Sequence, residues 1–359
     1  LHDIGHGPFS HAFEGIFDHY SIRHEAWTPY FLQDYATEEF FSAYNALNPR
    51  HQLSSEKFQD IAAMIMHKTT QKSVLADIVS SQLDADRLDY LLRDSHFCGV
   101  RYGEFDFRWM LHCLAIVKSH EGNRLGITHK GLGVVEHYLM ARRLMTRNIY
   151  QSQKKLALEA LMVKLLKSLA DKLEIYEPYA FIRDSRLGQF LIAANRFNQT
   201  ILGSSNKEKA RDAFLADNYA NYKELCDFDV YSVMKQLSDL ADADAASQIA
   251  MRIQQRVMPK TVRLALRDLN AAENSINEFL AKHKQYQDWQ VLLITTPHQS
   301  YSGEEDPILV LDEFGVVKPI GQLSAMLHAI ADRYEHVAFL RIDKVIAEDK
   351  AVLQFIERL

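Results

Sequence analysis

Five histidines fall within the first 24 residues: His2, His6, His11, His19 and His24. The opening reads L-H-D-I-G-H-G-P-F-S-H-A-F-E-G, and Glu14 and Glu25 lie among these histidines. Adjacent His2 and Asp3 offer one imidazole nitrogen and one carboxylate oxygen, a mixture that suits Mn, Fe, Co, Zn or Mg. Neighbouring helical side chains diverge by about 100°, so both can reach one ion only near a helix end or beside a converging helix. Gly5, Gly7 and Pro8 supply such an end, and Pro8 suits the first position of a following helix. A catalytic ion ordinarily takes at least three protein ligands. A further carboxylate is therefore required from elsewhere in the chain.

The best source is S-S-Q-L-D-A-D-R-L-D-Y-L-L-R-D-S-H-F, residues 80–97. Leu88, Leu91 and Leu92 mark the buried side of a helix. Asp86, Tyr90 and Asp94, at i, i+4 and i+8, share the opposite face, with Arg87 on its flank. Asp84 reads as an N-cap and Asp89–Arg93 as a solvated i, i+4 pair. Asp86 fits neither of these structural roles.

A third cluster, A-R-R-L-M-T-R-N-I-Y-Q-S-Q-K-K, spans residues 141–155. Arg142, Arg143, Arg147, Lys154 and Lys155 could meet phosphate, which a guanidinium grips bidentately. Tyr150 could stack on a base or sugar. Taken alone, the segment reads as a basic surface helix. The chain has no G-x-x-x-x-G-K-[ST], no strand-borne G-x-G-x-x-G, no G-x-S-x-G and no H-E-x-x-H. P-loop NTPases, Rossmann enzymes, serine hydrolases and zincins are thereby excluded.

Helices must position most of these groups. The 359 residues contain only 14 Gly and 8 Pro, which favours long helices over many short strands. Residues 134–296 should be nearly all helix, with a kink or break near Ile149–Gln153 where polar residues cluster. Gln290–Thr295, Ile308–Asp312, Val316–Lys318 and His336–Ile342 read as strands. They are separated by a Glu313-Phe314-Gly315 turn and a Gln322–Tyr334 helix, and a Lys344–Arg358 helix follows. The expected fold is mainly α, a helical bundle with a small C-terminal α/β subdomain. Its segments are a core at 1–130, a helical extension at 131–285 that completes the substrate pocket and the oligomer surface, and the subdomain at 286–359.

A net charge of −6 argues against a general nucleic-acid-coating surface, so nucleic acid is not expected as a main partner. Cys98, Cys113 and Cys226 are too few and too scattered for a disulfide framework. A reducing, cytoplasmic setting is the expectation, and the longest apolar runs are too short to cross a bilayer. The chain opens on Leu1 inside a motif, so a missing N-terminal portion is expected.

Set side by side, the clusters resemble the HD-domain phosphohydrolases, and within them the deoxynucleoside triphosphate triphosphohydrolases. H-D-I-G-H-G-P-F-S-H resembles that family's H-D-[IL]-G-H-G-P-F-S-H motif. L-D-A-D-R-L-D-Y-L-L-R-D resembles its D-x-D-[RK]-x-D-Y-x-x-R-D. Weaker similarity runs through 142–151, F-D-V-Y-S-V at 228–233 and R-V-M-P-K at 256–260. The resemblance covers roughly residues 1–260.

The resemblance implies an HD-domain bundle and one divalent metal held by His2, Asp3 and Asp86, with a further histidine upstream of Leu1. It implies hydrolysis of deoxynucleoside triphosphates to deoxynucleoside and triphosphate. His11, supported by Glu14, would act as general acid, and His6 and His24 would line the same pocket. Arg87 and Arg142 would clamp the triphosphate. Tyr90 and Asp94 would meet the sugar, with Tyr150 and Gln151 near sugar and base. It also implies a homo-oligomer, tetrameric by preference, with a dNTP such as dGTP as allosteric activator. The alternatives are another HD phosphohydrolase, such as a nucleotidase or phosphodiesterase, and a non-catalytic nucleotide sensor on the same scaffold.

Overall fold

Helices in this chain begin where short polar side chains cap them. Thr37, Ser73, Asp84, Asp106, Ser185, Asn206 and Asp244 each accept a hydrogen bond from a backbone N–H in the first turn. Such caps satisfy donors that have no partner inside the helix. The structure, a computed structural model, describes residues 3–17, 22–66, 73–120, 122–240, 244–264, 269–299, 301, 303, 305–330 and 334–359. The fold is mainly helical, as expected. Among the described residues no helix is long and apolar enough to cross a membrane.

The strands are β1 Leu114–Ser119, β2 Gly122–Thr128, β3 Lys260–Leu264, β4 Val291–Gln299, β5 Leu309–Leu311, β6 Val317–Pro319 and β7 Tyr334–Ile342. They form a sheet of order β1-β2-β5-β6 and another of order β3-β7-β4. β2 pairs antiparallel with β1 and parallel with β5, with Gly126 opposite Leu309. β3 pairs antiparallel with β7, with Lys260 opposite Ile342.

The chain forms two compact units. The first comprises Leu1–Phe58, Gln153–Ile294 and Ala338–Leu359, and the second Gln59–Ser152 and Thr295–Val337. The first unit's main core gathers Phe13, Trp27, Leu161, Leu165, Phe190 and Val230 around long helices. The second packs Leu88, Leu91 and Tyr138 with Ile127, Val310 and Ile320.

These units depart from three consecutive segments. The 286–359 stretch does alternate strands and helices, but β5 and β6 complete the sheet begun by β1 and β2, while β4 and β7 join β3. Hydrogen-bond partners for short strands come from wherever a matching edge exists, not from the nearest sequence. The 134–296 stretch is interrupted by β3, which gains its ladder from β7. The expected break after Ile149 is present as a π-helical turn at Thr146–Tyr150, before the Gln153–Asp171 helix. The three cysteines are free.

Candidate functional site

The opening motif folds as turns followed by one short helix, His11–Glu14. Its glycines allow backbone to touch backbone. A Cβ on Gly5 would stand 2.1 Å from the His24 carbonyl oxygen, and one on Gly7 would stand 2.9 Å from the Tyr222 hydroxyl. That hydroxyl donates to the Gly5 carbonyl at 2.7 Å, and the Tyr222 ring stacks on Trp27 at 3.9 Å. Pro8 does not open the helix. Phe9 and Ser10 instead take left-handed φ of 56° and 52°, conformations that cost non-glycine residues free energy. The Phe9 N–H donates to Asp227 Oδ1 at 2.8 Å, and its ring meets Tyr231 edge-on at 5.3 Å. Asp227, just before the F-D-V-Y-S-V segment, and Tyr231 within it thus hold the motif's strained turn.

The result is a tight polar cluster. His6, His11, Glu14 and His24 offer donor atoms within 4.8 Å of one another. Glu14 Oε1 accepts from the His24 backbone N–H at 3.1 Å and from its Nδ1 at 2.8 Å. Burial tends to raise the Glu14 pKa, but hydrogen bonds from the ring and backbone of His24 and from His11 outweigh it. The carboxyl is held below its ordinary value. An ionised Glu14 requires the proton on His24 Nδ1. His24 Nε2 then faces Asp3 Oδ1 at 3.5 Å.

His6 stacks on His24 with centroids 3.7 Å apart, and its Nε2 lies 3.7 Å from Asp3 Oδ1. Burial first, then the neighbouring His24, lowers the His6 pKa, so this ring is neutral at neutral pH. Its buried Nδ1 has no hydrogen-bond partner among the described residues. His11 Nδ1 lies 3.4 Å from Glu14 Oε2, and the side chain is 66% exposed. The mixture of imidazole and carboxylate donors, with Asp3 at its edge, suits a divalent transition metal. These donor types are those of a divalent-metal site, but the cluster is a different set from the His2, Asp3 and Asp86 implied by the resemblance.

Of the three expected metal ligands, His2 lies outside the described residues. Asp3 is an exposed turn residue of the first unit, and Asp86 an exposed residue in the first turn of the Ala85–Phe97 helix, in the second.

The second unit holds the remaining residues. Asp84 caps its helix, accepting from the Arg87 N–H at 2.7 Å and the Ser81 N–H at 3.2 Å. Burial pushes the Asp84 carboxyl up, against the pull of the Arg87 charge. The Arg87 guanidinium donates to Asp84 and to the Ser81 carbonyl, so Arg87 is already engaged beside its own N-cap. Asp89 and Arg93 form the expected exposed pair.

Asp94 Oδ2 accepts from the Tyr150 hydroxyl at 2.8 Å. Burial, then Asp94, drives the Tyr150 pKa upward and keeps it protonated. The Tyr90 ring meets the Tyr150 ring edge-on at 6.0 Å. Gln151 Nε2 donates to Thr296 Oγ1 at 3.0 Å. The basic run is divided: Arg142 and Arg143 lie in the Leu132–Met145 helix, Arg147 in the π-turn, and Lys154 and Lys155 in the next helix.

One group of residues carried no sequence signal. Arg124 Nε donates to both Asp77 oxygens, at 2.8 and 3.1 Å, and an Arg124 guanidinium nitrogen reaches Asp306 at 3.4 Å. Asp306 accepts from the Gln82 N–H at 3.0 Å, and Gln82 Oε1 accepts from Arg142 at 2.8 Å. Each partner looks like an ordinary surface residue until distant segments converge.

No family model matches the chain. An uncharacterised protein of Bacillus subtilis, YwfO, is 35% identical over 46% of this chain and 35% of its own length. A putative HD domain-containing protein of Acanthamoeba polyphaga mimivirus, L394, is 28% identical over 47% of this chain and 36% of its length. The deoxynucleoside triphosphate triphosphohydrolase SAMHD1 of Xenopus laevis is 27% identical over 42% of this chain and 28% of its length. The chain spans about a third of the length of these curated relatives. A phosphohydrolase crystal structure from Bacteroides thetaiotaomicron has the same fold, with TM-score 0.69 and 22% identity. The match covers 96% of this chain and 78% of that one. The H-D-I-G-H motif and the histidine cluster that it builds thus stand in a chain that has the fold of a phosphohydrolase structure and is similar over part of its length to a putative HD domain-containing protein and to SAMHD1.

Proposed function

We propose that this protein hydrolyses deoxynucleoside triphosphates to deoxynucleoside and inorganic triphosphate, with one divalent metal ion as cofactor. The observation that carries this reading is the Glu14-centred cluster, in which one carboxylate orients both His24 and His11. The relatives named as deoxynucleoside triphosphate triphosphohydrolases favour the substrate class. His2, Asp3 and Asp86 would hold the ion, which supplies Lewis-acid polarisation of a phosphoryl oxygen when bound.

Water attacks the α-phosphorus, and the bond from phosphorus to the sugar 5′-oxygen breaks. That alkoxide is a poor leaving group and requires a proton. His11 is suited to deliver it, because Glu14 engages Nδ1 while much of the ring is open to solvent. Neutral His6 and Glu14-bound His24 contact phosphate oxygens. Arg142 binds the triphosphate, and Arg87 does so once released from its cap. Tyr90, Asp94, Tyr150 and Gln151 meet the sugar and base. The same reading carries a homo-oligomer, tetrameric by preference, activated by a dNTP such as dGTP. Light scattering with and without dGTP measures this.

The deciding experiment incubates the purified protein with each dNTP and several divalent metals and separates the products. Deoxynucleoside with intact triphosphate supports the reading. Orthophosphate or a nucleoside monophosphate would assign a different HD phosphohydrolase reaction.

A further inference from the structure

The proposed reaction gives no role to the corner at 223–226, which joins the Lys207–Tyr222 helix to the Asp227–Ser238 helix in the first unit. Both ends of that corner reach the opening motif. Tyr222, the last residue of one helix, donates its buried hydroxyl to the Gly5 carbonyl at 2.7 Å, across 217 residues of sequence. Asp227, the first residue of the next, accepts from the Phe9 N–H at 2.8 Å, across 218. His6 lies between the two contacts, and His11 follows the second. The corner itself is well held. The Cys226 N–H donates to Asp229 Oδ2 at 2.8 Å, and the Leu225 N–H to the Tyr222 carbonyl at 3.1 Å. Val230, Val233, Met234 and Leu237 anchor the second helix in the core. Burial raises the Tyr222 pKa, so its hydroxyl keeps the proton that it donates.

A left-handed Phe9 and Ser10 persist only where the surroundings over-determine them. The Asp227 carboxylate supplies a charge-assisted hydrogen bond at that point. Ser10 leads directly into the His11–Glu14 helix, which is a single turn with no capping side chain. The direction of His11 is therefore inherited from the turn before it. His6, stacked on His24, is fixed by the same turn from the other side. We infer that Tyr222 and Asp227 are positioning residues, which clamp the Gly5–Phe9 turn and through it set the rings of His6 and His11. They act through the backbone of the motif, not on substrate. For its catalytic consequence the inference rests on the proposed reaction, in which His11 delivers the proton and His6 contacts phosphate.

The test uses the full chain with nitrogen-labelled histidine, at one near-neutral pH, and reads the ring signals of His6 and His11 by NMR. Asp227→Ala and Tyr222→Phe should each shift both signals. Each should also lower kcat for dNTP about ten- to a hundredfold, since a misplacement of about 1 Å can cost about 10²-fold. KM should change much less, because a general acid acts in the transition state. Asp227→Asn keeps an acceptor oxygen and should restore most of the signals and of kcat. Tyr219→Phe removes a hydroxyl from the same helix, one bonded to Asp34 at 2.9 Å, and should match the wild type in both readouts. Melting temperatures separate displacement from lost folding. Where Asp227→Ala does not fold, Tyr222→Phe carries the test, because it keeps the ring that stacks on Trp27.

Ring signals and kcat at wild-type values in both Asp227→Ala and Tyr222→Phe overturn the inference. So does a loss in Asp227→Asn equal to that in Asp227→Ala, or an equal loss in Tyr219→Phe. The two readings fail separately. Shifted His6 and His11 signals in the variants, with no deoxynucleoside made by the wild type, sink the reaction alone. Normal deoxynucleoside production with unshifted rings in both variants sinks the positioning alone.

Discussion

Gln82 and Arg142 are 60 residues apart in sequence and meet at 2.8 Å, the amide oxygen accepting from the guanidinium. Gln82 is itself held at both backbone groups. Its N–H donates to Asp306 and its carbonyl accepts from the buried Tyr138 hydroxyl at 2.8 Å. Asp306 in turn meets Arg124, which is paired with Asp77. Removing one member of such a buried pair costs more than the pair itself contributes, since the other charge is stranded.

Gln82→Leu therefore removes the acceptor that aims Arg142. A hydrogen bond to a charged group contributes about 1.5–3 kcal/mol, and urea unfolding should show a loss on that scale. Under the proposed reaction, KM for dNTP should rise more than kcat falls. The effect on KM should also be non-additive with Arg142→Ala, because both substitutions remove one function. Fully additive losses would show that Gln82 does not act through Arg142.

Gly5→Ala tests the close approach of the motif to the His24 helix. The added methyl would overlap the His24 carbonyl, which is backbone and cannot swing aside. Overpacking typically costs about 1–3 kcal/mol. A lowered melting temperature is expected, together with disturbance of His24. A variant as stable as the wild type would mean that the loop does not rest on that helix.

His11→Ala should lower kcat by about 10²–10⁴-fold while leaving KM nearly unchanged, the signature of a lost general acid. Asp3→Ala and Asp86→Ala should each reduce the metal content of the purified protein, and chelation of the wild type should abolish turnover. Unchanged kcat in the His11 variant across pH would remove that residue from the chemistry.

Glu14 gives a pH prediction. Its folded-state pKa lies below the ordinary value of 4.5. Between the two values the unfolded chain binds the proton and the folded chain does not, so stability falls on acidification through that window. The contribution is fully present above pH 4.5 and is lost as the pH drops through the folded value. The melting-temperature difference between wild type and Glu14→Gln should therefore be constant near neutrality and shrink below about pH 4.5. A difference that grows on acidification would contradict the hydrogen-bonded, ionised carboxylate.

What could be read from sequence was local. The Asp84 cap, the Asp89–Arg93 pair and the break before Gln153 follow from neighbours within a few residues. So does the Asp312–Val316 turn, where Gly315 takes φ 82°. The histidine cluster was legible because its members are closely spaced. The Asp77–Arg124 pair was not, although the two residues are only 5% and 6% exposed, because charged residues ordinarily signal surface. β1 and β2 were missed for a related reason. Lys118 and the buried Arg124 break the apolar alternation that marks a strand.

The parallel pairing of Gly126 with Leu309 sets an order of events during synthesis. When β2 leaves the ribosome, the segment that will cover one of its edges has yet to be translated, and at roughly 5–20 residues per second it follows many seconds later. The Arg124 side chain waits equally long for Asp306. An uncovered strand edge is a template for pairing with other chains, so a nascent or truncated chain ending before Leu309 should aggregate through β2. Chaperone dependence of this protein would then centre on the middle of its sequence.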